Sequence, residues 1–224
     1  MTISVILLDT GGVLYHRPRE DRHLSMFLAQ NGLKLRHRSV VERALRAARF
    51  DVQSGRISRE TFYDAILRIH GITDETLFPE GRAALLLDAA DIELFPGVTE
   101  TLNALREAEF RLGLVSESAH HAREKISWLS VRGLPPDLWS VCLMSAEMGL
   151  LKGDSALFER ALMRLNISAA QAAFVGHATE QLSNATQAGI TTIAFMPDDP
   201  NVQTDYTITS IYGLQDLFLS KGNS

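Results

Sequence analysis

Residues 3–12 read ISVILLDTGG, and the change from apolar to polar residues within them is the first structural signal of the chain. Residues 3–8 are almost all apolar or β-branched, a composition typical of a buried strand. Asp9 ends this apolar run, and Gly11 and Gly12 permit a tight turn directly after it. The stretch therefore predicts a buried strand that ends in a polar loop.

Similar short apolar runs recur along the chain, separated by segments of helical length. They occupy residues 112–115, 141–144, 172–175 and 191–195, and a last edge strand is expected near Tyr206–Ile208. Strands that alternate with helices form parallel sheets with helices on both faces. We therefore expect an α/β fold with a doubly wound parallel sheet.

Residues 16–91 contain no comparable strand. Apolar side chains recur there at helical spacing, for example Val41, Leu45 and Ala48. We predict an inserted, all-helical cap of four or so helices over 16–91, and a core made of residues 1–15 and 92–224.

The chain has 224 residues and a formal net charge of −5. Because nucleic-acid binders usually carry a large basic excess, no nucleic-acid partner is expected. The single cysteine, Cys142, excludes an intrachain disulfide and a cysteine-rich zinc site, and we interpret it as an inert core residue. The apolar run before Asp9 is too short for a signal sequence or a membrane span, so we expect a cytoplasmic protein without a membrane partner.

Polar and glycine residues follow the predicted strands. Ligands of open parallel sheets bind beyond the carboxyl ends of the strands, so these residues are candidates for a site. They are Asp9 and Gly11, Ser116 and Glu117, Gly176 and His177, and Lys152 in the loop after the third run.

The order and spacing of these motifs resemble the haloacid dehalogenase (HAD) superfamily of aspartate-nucleophile phosphatases, phosphomutases and dehalogenases. The motifs that carry the resemblance are residues 7–14, Val115 with Ser116, residues 149–152, and residues 174–176 continuing to 188–190. Residues 94–98 and the helical insertion after the first strand look like the subgroup with a helical cap. The resemblance implies a Rossmann-type core beneath that cap.

The resemblance also implies site roles. Asp9 would be the nucleophile, Ser116 and Gly12 would bind the phosphoryl group, and Lys152 would stabilise its charge. The sequence departs from the family pattern at three positions: Gly11 replaces the second aspartate, which is the general acid and base, and His177 and Gln181 replace two acidic residues of the fourth motif.

A magnesium ion is therefore expected to bind weakly if at all. The remaining candidate ligands are Asp9, the backbone carbonyl of Gly11, and Glu180, which is one place away from a lost acidic position. A positioned general acid or base contributes about 10²–10⁴ to a rate, and lost metal ligands add a further penalty. The sequence does not predict an efficient magnesium-dependent phosphatase.

Three functions are compatible with the sequence. The first is a slow or unusual hydrolase that uses Asp9, acting on a small phosphorylated metabolite. The second is a non-catalytic descendant that binds an anionic ligand or a partner protein. The third is a metal-independent carbon–halogen hydrolase, although such relatives carry an aromatic residue at the position of Gly11.

The cap and the segment after Ser116 carry further signals. From Arg17 to Arg49 the chain has nine Lys or Arg residues against three acidic ones, which predicts either a solvated helix face or a surface that attracts a small anionic ligand. His120, His121 and Glu124 lack the spacing of a metal motif, and we interpret the histidines as surface residues.

Overall fold

The structure is a computed structural model that describes residues 2–150 and 155–220. In chain order, its strands are β1 (Val5–Leu8), β2 (Tyr15–His16), β3 (Glu93–Leu94), β4 (Arg111–Ser116), β5 (Trp139–Met144), β6 (Ala172–Gly176), β7 (Thr191–Phe195) and β8 (Tyr206–Ile208). Its α-helices are α1 (Arg22–Gln30), α2 (Arg38–Gln53), α3 (Arg59–Ile69), α4 (Phe78–Ala90), α5 (Val98–Glu107), α6 (Ala122–Ser130), α7 (Ser145–Met148), α8 (Ala156–Leu165), α9 (Thr179–Gln187) and α10 (Gly213–Phe218).

Across the described residues, six strands form one sheet in the order β5-β4-β1-β6-β7-β8, and every neighbouring pair is parallel. Strand β1 lies in the middle of this sheet. The order of strands and the helices between them confirm the predicted α/β fold class. All the strands predicted from apolar runs are present, with ends that differ from the prediction by one or two residues.

The four residues of β1 are completely buried. Ile6 and Leu8 belong to one core cluster, and Val5 and Leu7 belong to a second cluster on the opposite face. Because both faces of the strand are covered, its sequence is a continuous apolar run rather than an alternating one.

Helices α1 to α4 lie between β2 and β3 along the chain and pack around a third apolar cluster, which includes Leu28, Leu45, Phe62 and Leu67. Strands β2 and β3 pair in a short antiparallel sheet where the chain enters and leaves this helical part, a feature that the sequence did not predict. The exact boundaries of the cap stay a prediction. No helix in the described residues is long and apolar enough to cross a membrane.

The register of the sheet brings three strand ends together. Leu8, the last residue of β1, pairs with Leu114 of β4 and Val175 of β6. The residues that follow β1 and β6, and the last residue of β4, therefore meet at the carboxyl edge of the sheet.

Candidate active site

Asp9 lies at this edge, directly after β1, and is 3% exposed. Its Oδ1 accepts hydrogen bonds from the backbone N–H of Thr10 at 2.7 Å and from the hydroxyl of Ser116 at 2.6 Å. The hydroxyls of Thr10 and Ser116 are 3.1 Å apart. These contacts fix the carboxylate and leave Oδ2 as the oxygen that can react.

His177 follows β6 and contacts the second oxygen of Asp9. Its Nδ1 is 3.5 Å from Oδ2, at the outer limit of a hydrogen bond, and no other described residue partners this nitrogen. Asp9, first as a hydrogen-bonding group and then through its charge, raises the pKa of the imidazole above its ordinary value, and Asp198 adds to this, whereas burial acts in the opposite direction. The imidazolium form is therefore favoured beside the carboxylate.

The imidazole of His177 packs closely over Gly12. A Cβ at Gly12 would lie 2.7 to 2.8 Å from the ring, and the backbone φ of Gly12 is 79°. Only glycine combines this backbone conformation with room for the ring. The N–H of Gly12 donates to the carbonyl of Tyr15 at 2.9 Å, and substrate binding by Gly12 stays a prediction.

Gly11 has an ordinary backbone conformation, since it is not among the residues with positive φ. A Cβ there would make normal van der Waals contacts with the ring of Tyr15, at 3.7 Å from the nearest carbon and 3.9 Å from the phenolic oxygen. The space beside Gly11 is therefore occupied by an aromatic side chain that comes from four residues further along the chain.

Lys125 completes this part of the site. It lies on α6, is 4% exposed, and donates a hydrogen bond from Nζ to the phenolic oxygen of Tyr15. The ammonium also lies 5.1 Å from the centre of the Tyr15 ring and 5.4 Å from that of Trp128. The sequence analysis missed both Tyr15 and Lys125. A lysine one helical turn before Leu129, on the buried face of α6, was the signal that could have found Lys125.

A cavity of about 510 Å³ opens above these residues and is lined by both the sheet edge and the helices of the cap. From the sheet side, Asp9, Gly11, Tyr15, Ser116, Lys125, His177 and Gln181 face it. The volume suits a small organic ligand.

Charged side chains of the cap also line the cavity. Arg38 is neutralised by salt bridges to Glu20 and Glu42, with N to O distances of 2.5 and 2.7 Å. Arg36 and Arg49 form no salt bridge within the described residues. Only part of the basic excess predicted for this segment is thus available to an anion.

His120 corrects our interpretation of it as a surface residue. Its ring lies 4.9 Å from that of Trp128 and 6.4 Å from that of Tyr63, measured between ring centres. Burial lowers its pKa to about 3, helped by the charge of Lys125. Its neighbour His121 is exposed and contacts Glu147, with 3.1 Å between Nδ1 and Oε1. Burial likewise raises the pKa of the Cys142 thiol to about 12, which fits an unreactive thiol.

One protein family matches the part of the chain from the end of α3 to β7. The family of haloacid dehalogenase-like hydrolases matches residues 71–195, which is more than half of the chain. The chain belongs to this family.

Solved structures share the fold of this HAD-like hydrolase over nearly its whole length. A Bacillus subtilis protein assigned to the HAD hydrolases, YfnB, bound to magnesium, has a TM-score of 0.78 at 16% identity, covering 98% of this chain and 100% of its own. A 2-haloacid dehalogenase from Pseudomonas syringae pv. tomato has a TM-score of 0.73 at 20% identity, covering 98% and 99%. A predicted phosphoglycolate phosphatase from Haemophilus somnus has a TM-score of 0.72 at 16% identity, covering 97% and 98%. No curated protein sequence matches the chain.

Of the other predicted site residues of this HAD-like hydrolase, Glu180 does not join the cluster around Asp9, and the position of Lys152 stays untested. Lys152 lies outside the described residues. Glu180 is exposed and does not line the cavity, whereas the next residue, Gln181, does. The amide oxygen of Gln181 is buried and has no hydrogen-bond partner among the described residues.

The described donor set does not fit a magnesium ion. Mg²⁺ prefers oxygen ligands, mostly one or two carboxylates together with substrate phosphates. The free oxygen of Asp9 already faces the imidazole of His177. In the described residues, no group of three or more His, Cys, Asp and Glu side chains is arranged to hold a metal. The amide of Gln181 alone does not replace the missing charge.

Proposed function

We propose that this HAD-like hydrolase cleaves a small phosphorylated molecule through a covalent intermediate on Asp9, slowly and without magnesium. The observation that carries the proposal is the fixed carboxylate of Asp9. Ser116 and the Thr10 N–H hold Oδ1, which leaves Oδ2 for attack at the floor of a cavity large enough for a metabolite.

The chemistry follows from this arrangement. Oδ2 of Asp9 forms a bond to phosphorus while the bond from phosphorus to the leaving oxygen breaks, which gives an aspartyl phosphate. Water then attacks phosphorus and releases inorganic phosphate and the carboxylate. Positive charge stabilises the transferred group in phosphoryl transfer. We propose that the imidazolium of His177 supplies part of this charge, and that Lys152 and the cap arginines supply the rest.

Slow turnover follows from what the site lacks. Position 11 has no carboxyl group to donate a proton, and the donor set does not fit a magnesium ion. Each of these groups contributes orders of magnitude in related chemistry. Leaving groups that depart without a proton should therefore react fastest.

A carbon–halogen hydrolase is a second candidate, and one observation favours it. The sequence has no aromatic residue at position 11, where carbon–halogen hydrolases of this kind carry one. In the structure, however, the ring of Tyr15 occupies the space beside Gly11, 3.7 Å from a Cβ built there. Displacement of a halide by Asp9 needs neither a metal nor a proton donor, so the same carboxylate could form an alkyl ester with a small halogenated acid.

The decisive experiment is detection of a covalent adduct on Asp9. The purified protein would be mixed with aryl phosphates, acyl phosphates and short 2-haloacids in the presence of EDTA, and analysed by mass spectrometry of acid-quenched peptides. We expect a phosphoryl adduct on the peptide that contains Asp9, and phosphate release that is lost in Asp9→Asn. Asp137→Asn, an exposed aspartate near the opposite edge of the sheet, is the matched control.

The other outcomes separate the alternatives. Halide release with an alkyl adduct would replace the phosphatase by the dehalogenase. Binding of phosphate without any adduct or turnover would contradict the proposed hydrolase and favour a ligand-binding protein. Turnover that requires added magnesium would contradict the metal-independent site.

A further inference from the structure

Tyr15 lies beside position 11, where this hydrolase has no carboxyl group, and Lys125 contacts Tyr15. The phenolic oxygen of Tyr15 is 3.9 Å from a Cβ built on Gly11, so the phenol lies beside the position at which a carboxyl-bearing side chain would begin. Tyr15, Lys125 and Asp9 all line the same cavity. The phenol is thus the nearest proton-bearing side chain to the vacant position among those that the structure describes around Gly11.

The hydrogen bond between the two residues has a defined direction. Lys125 can only donate, so the phenolic oxygen of Tyr15 is the acceptor. The hydroxyl hydrogen of Tyr15 is then available to another group, and no described residue accepts it. With Lys125 on one side, this hydrogen is left to point away from the ammonium.

Burial of the charged ammonium group of Lys125 costs free energy unless another group stabilises that charge. The residue is 4% exposed, and no carboxylate forms a salt bridge with it in the part of the chain that the structure describes. A buried ammonium is normally paired with a carboxylate. Here the partners are the phenolic oxygen of Tyr15 and the faces of two aromatic rings, those of Tyr15 and Trp128. Such a site would stabilise a negative charge that forms on the phenol.

We infer that Tyr15, supported by Lys125, donates the proton to the leaving group and so replaces the general acid missing at position 11. The inference rests on the proposed hydrolysis at Asp9. Tyr15 is the catalytic residue in this account, and Lys125 is a positioning residue that acts through it.

Tyr15 and Lys125 also account for the protons that the reaction transfers. As the bond between phosphorus and the leaving oxygen breaks, the phenolic proton of Tyr15 passes to that oxygen, and Lys125 holds the resulting tyrosinate. Water then attacks the phosphorus of the aspartyl phosphate, the bond to Asp9 breaks, and one proton of that water returns to Tyr15. A phenol is a weaker acid than a carboxylic acid, which agrees with slow turnover.

The test is the dependence of the rate on the leaving group. Rates of EDTA-treated wild-type protein, Tyr15→Phe, Lys125→Met and the exposed control Tyr206→Phe would be measured with aryl phosphates of graded acidity and with an alkyl phosphate. In Tyr15→Phe, we expect the alkyl phosphate rate to fall about 10²-fold while the rate for the most acidic phenol changes little, because that leaving group departs without a proton. Lys125→Met should likewise lower the alkyl phosphate rate more than the rate for the most acidic phenol, and Tyr206→Phe should change neither rate.

A merely structural role for Tyr15 would lower all rates together, and that result would overturn the inference. The double variant Gly11→Asp with Tyr15→Phe adds a rescue, because a carboxyl at position 11 should restore the alkyl phosphate rate relative to Tyr15→Phe. An unchanged dependence on the leaving group, in the presence of turnover that Asp9→Asn abolishes, would overturn the inference and leave the proposed function standing.

A binding measurement covers the case in which turnover is too slow to follow. Orthovanadate takes a five-coordinate geometry whose apical oxygen occupies the place of the leaving group. Calorimetry should show binding about tenfold weaker in Tyr15→Phe than in wild type or Tyr206→Phe, the effect of one hydrogen bond to a charged group. Equal affinities in wild type and Tyr15→Phe would overturn the inference. Absence of both turnover and vanadate binding would overturn it together with the proposed function.

Discussion

Nδ1 of His177 lies 3.5 Å from Oδ2 of Asp9, and this contact, which raises the pKa of the imidazole, places that ring against the reactive oxygen of the site. His177 occupies a position at which the family pattern has an acidic residue. In this chain, position 177 therefore places an imidazole with a raised pKa, rather than a carboxyl group, beside Asp9.

The first prediction concerns stability and pH. Because the contact with Asp9 raises the pKa of His177 in the folded protein, the folded state holds this proton more tightly than the unfolded state. The resulting stabilisation is complete below about pH 6.5, the ordinary pKa of histidine, and is lost as the pH rises through the raised pKa of His177.

Urea unfolding of wild type and His177→Gln from pH 5.5 to 9 should show a difference in unfolding free energy that shrinks with increasing pH. In an Asp9→Asn background, where the partner carboxylate is absent, the same substitution should show no such trend, and a constant difference for His177→Gln in the wild-type background would refute the coupling.

The second prediction compares two glycines with similar backbone conformations. Gly12 and Gly32 have φ of 79° and 72°, but a Cβ at Gly32 would meet nothing within 4 Å, whereas one at Gly12 would meet the His177 ring at 2.7 Å. Gly32→Ala should cost about 1–2 kcal/mol through backbone strain alone. Gly12→Ala should cost more in urea unfolding and should also weaken phosphate binding, because the ring must leave Asp9. Equal losses of stability with unchanged phosphate binding would show that the ring moves freely.

The third prediction separates two explanations for the basic segment of the cap. Arg36 and Arg49 line the cavity, whereas Arg43 and Arg46 do not. If the cap attracts an anion, the pair of substitutions Arg36→Ala and Arg49→Ala should weaken phosphate binding roughly 2- to 10-fold, given about 0.2–1 kcal/mol for exposed charge pairs. The matched pair Arg43→Ala and Arg46→Ala should leave the affinity unchanged.

Salt provides the second readout of that comparison. Exposed charges are screened beyond about 8 Å at physiological ionic strength, so calorimetry at low and high salt should show a weaker salt dependence for the cavity pair than for wild type. Identical affinities and salt dependences in both double variants would mean that the segment is only a solvated face.

The large strands were predictable because burial on both faces leaves a strong signal. The apolar runs of β1 and β6 have no exposed residue, so composition alone indicates them. Strands β2 and β3 have two residues each, which is too short for any periodicity. Their pairing depends on contacts between residues nearly 80 positions apart.

The site was predictable where a strand end carries it, as for Asp9, Ser116 and His177. Tyr15 was not, because its approach to Gly11 depends on the turn at Gly12, whose φ is 79°. The burial of His120 was missed for a similar reason. It results from Tyr63 of the cap and Trp128 of α6, two rings that the sequence gives no reason to place together.

The last prediction is that a magnesium site can be restored by three substitutions. Gly11→Asp, His177→Asp and Gln181→Asp together would return carboxylates to the positions at which the sequence departs from the family. Position 11 can accept a side chain, since its φ is not positive and a Cβ there makes only ordinary contacts with Tyr15. Position 181 already lines the cavity, and at position 177 the change replaces an imidazole beside Asp9 by a carboxylate. Calorimetry should detect Mg²⁺ binding by the triple variant and little by any single variant, because the effects of groups that act as a unit are strongly non-additive.

Hydrolysis of an aryl phosphate by the triple variant should then depend on magnesium and disappear when Asp9→Asn is added. A folded triple variant that binds no Mg²⁺ would show that more than these three side chains separates this site from a metal-dependent one, because the carboxylates would be present without the geometry that Mg²⁺ requires.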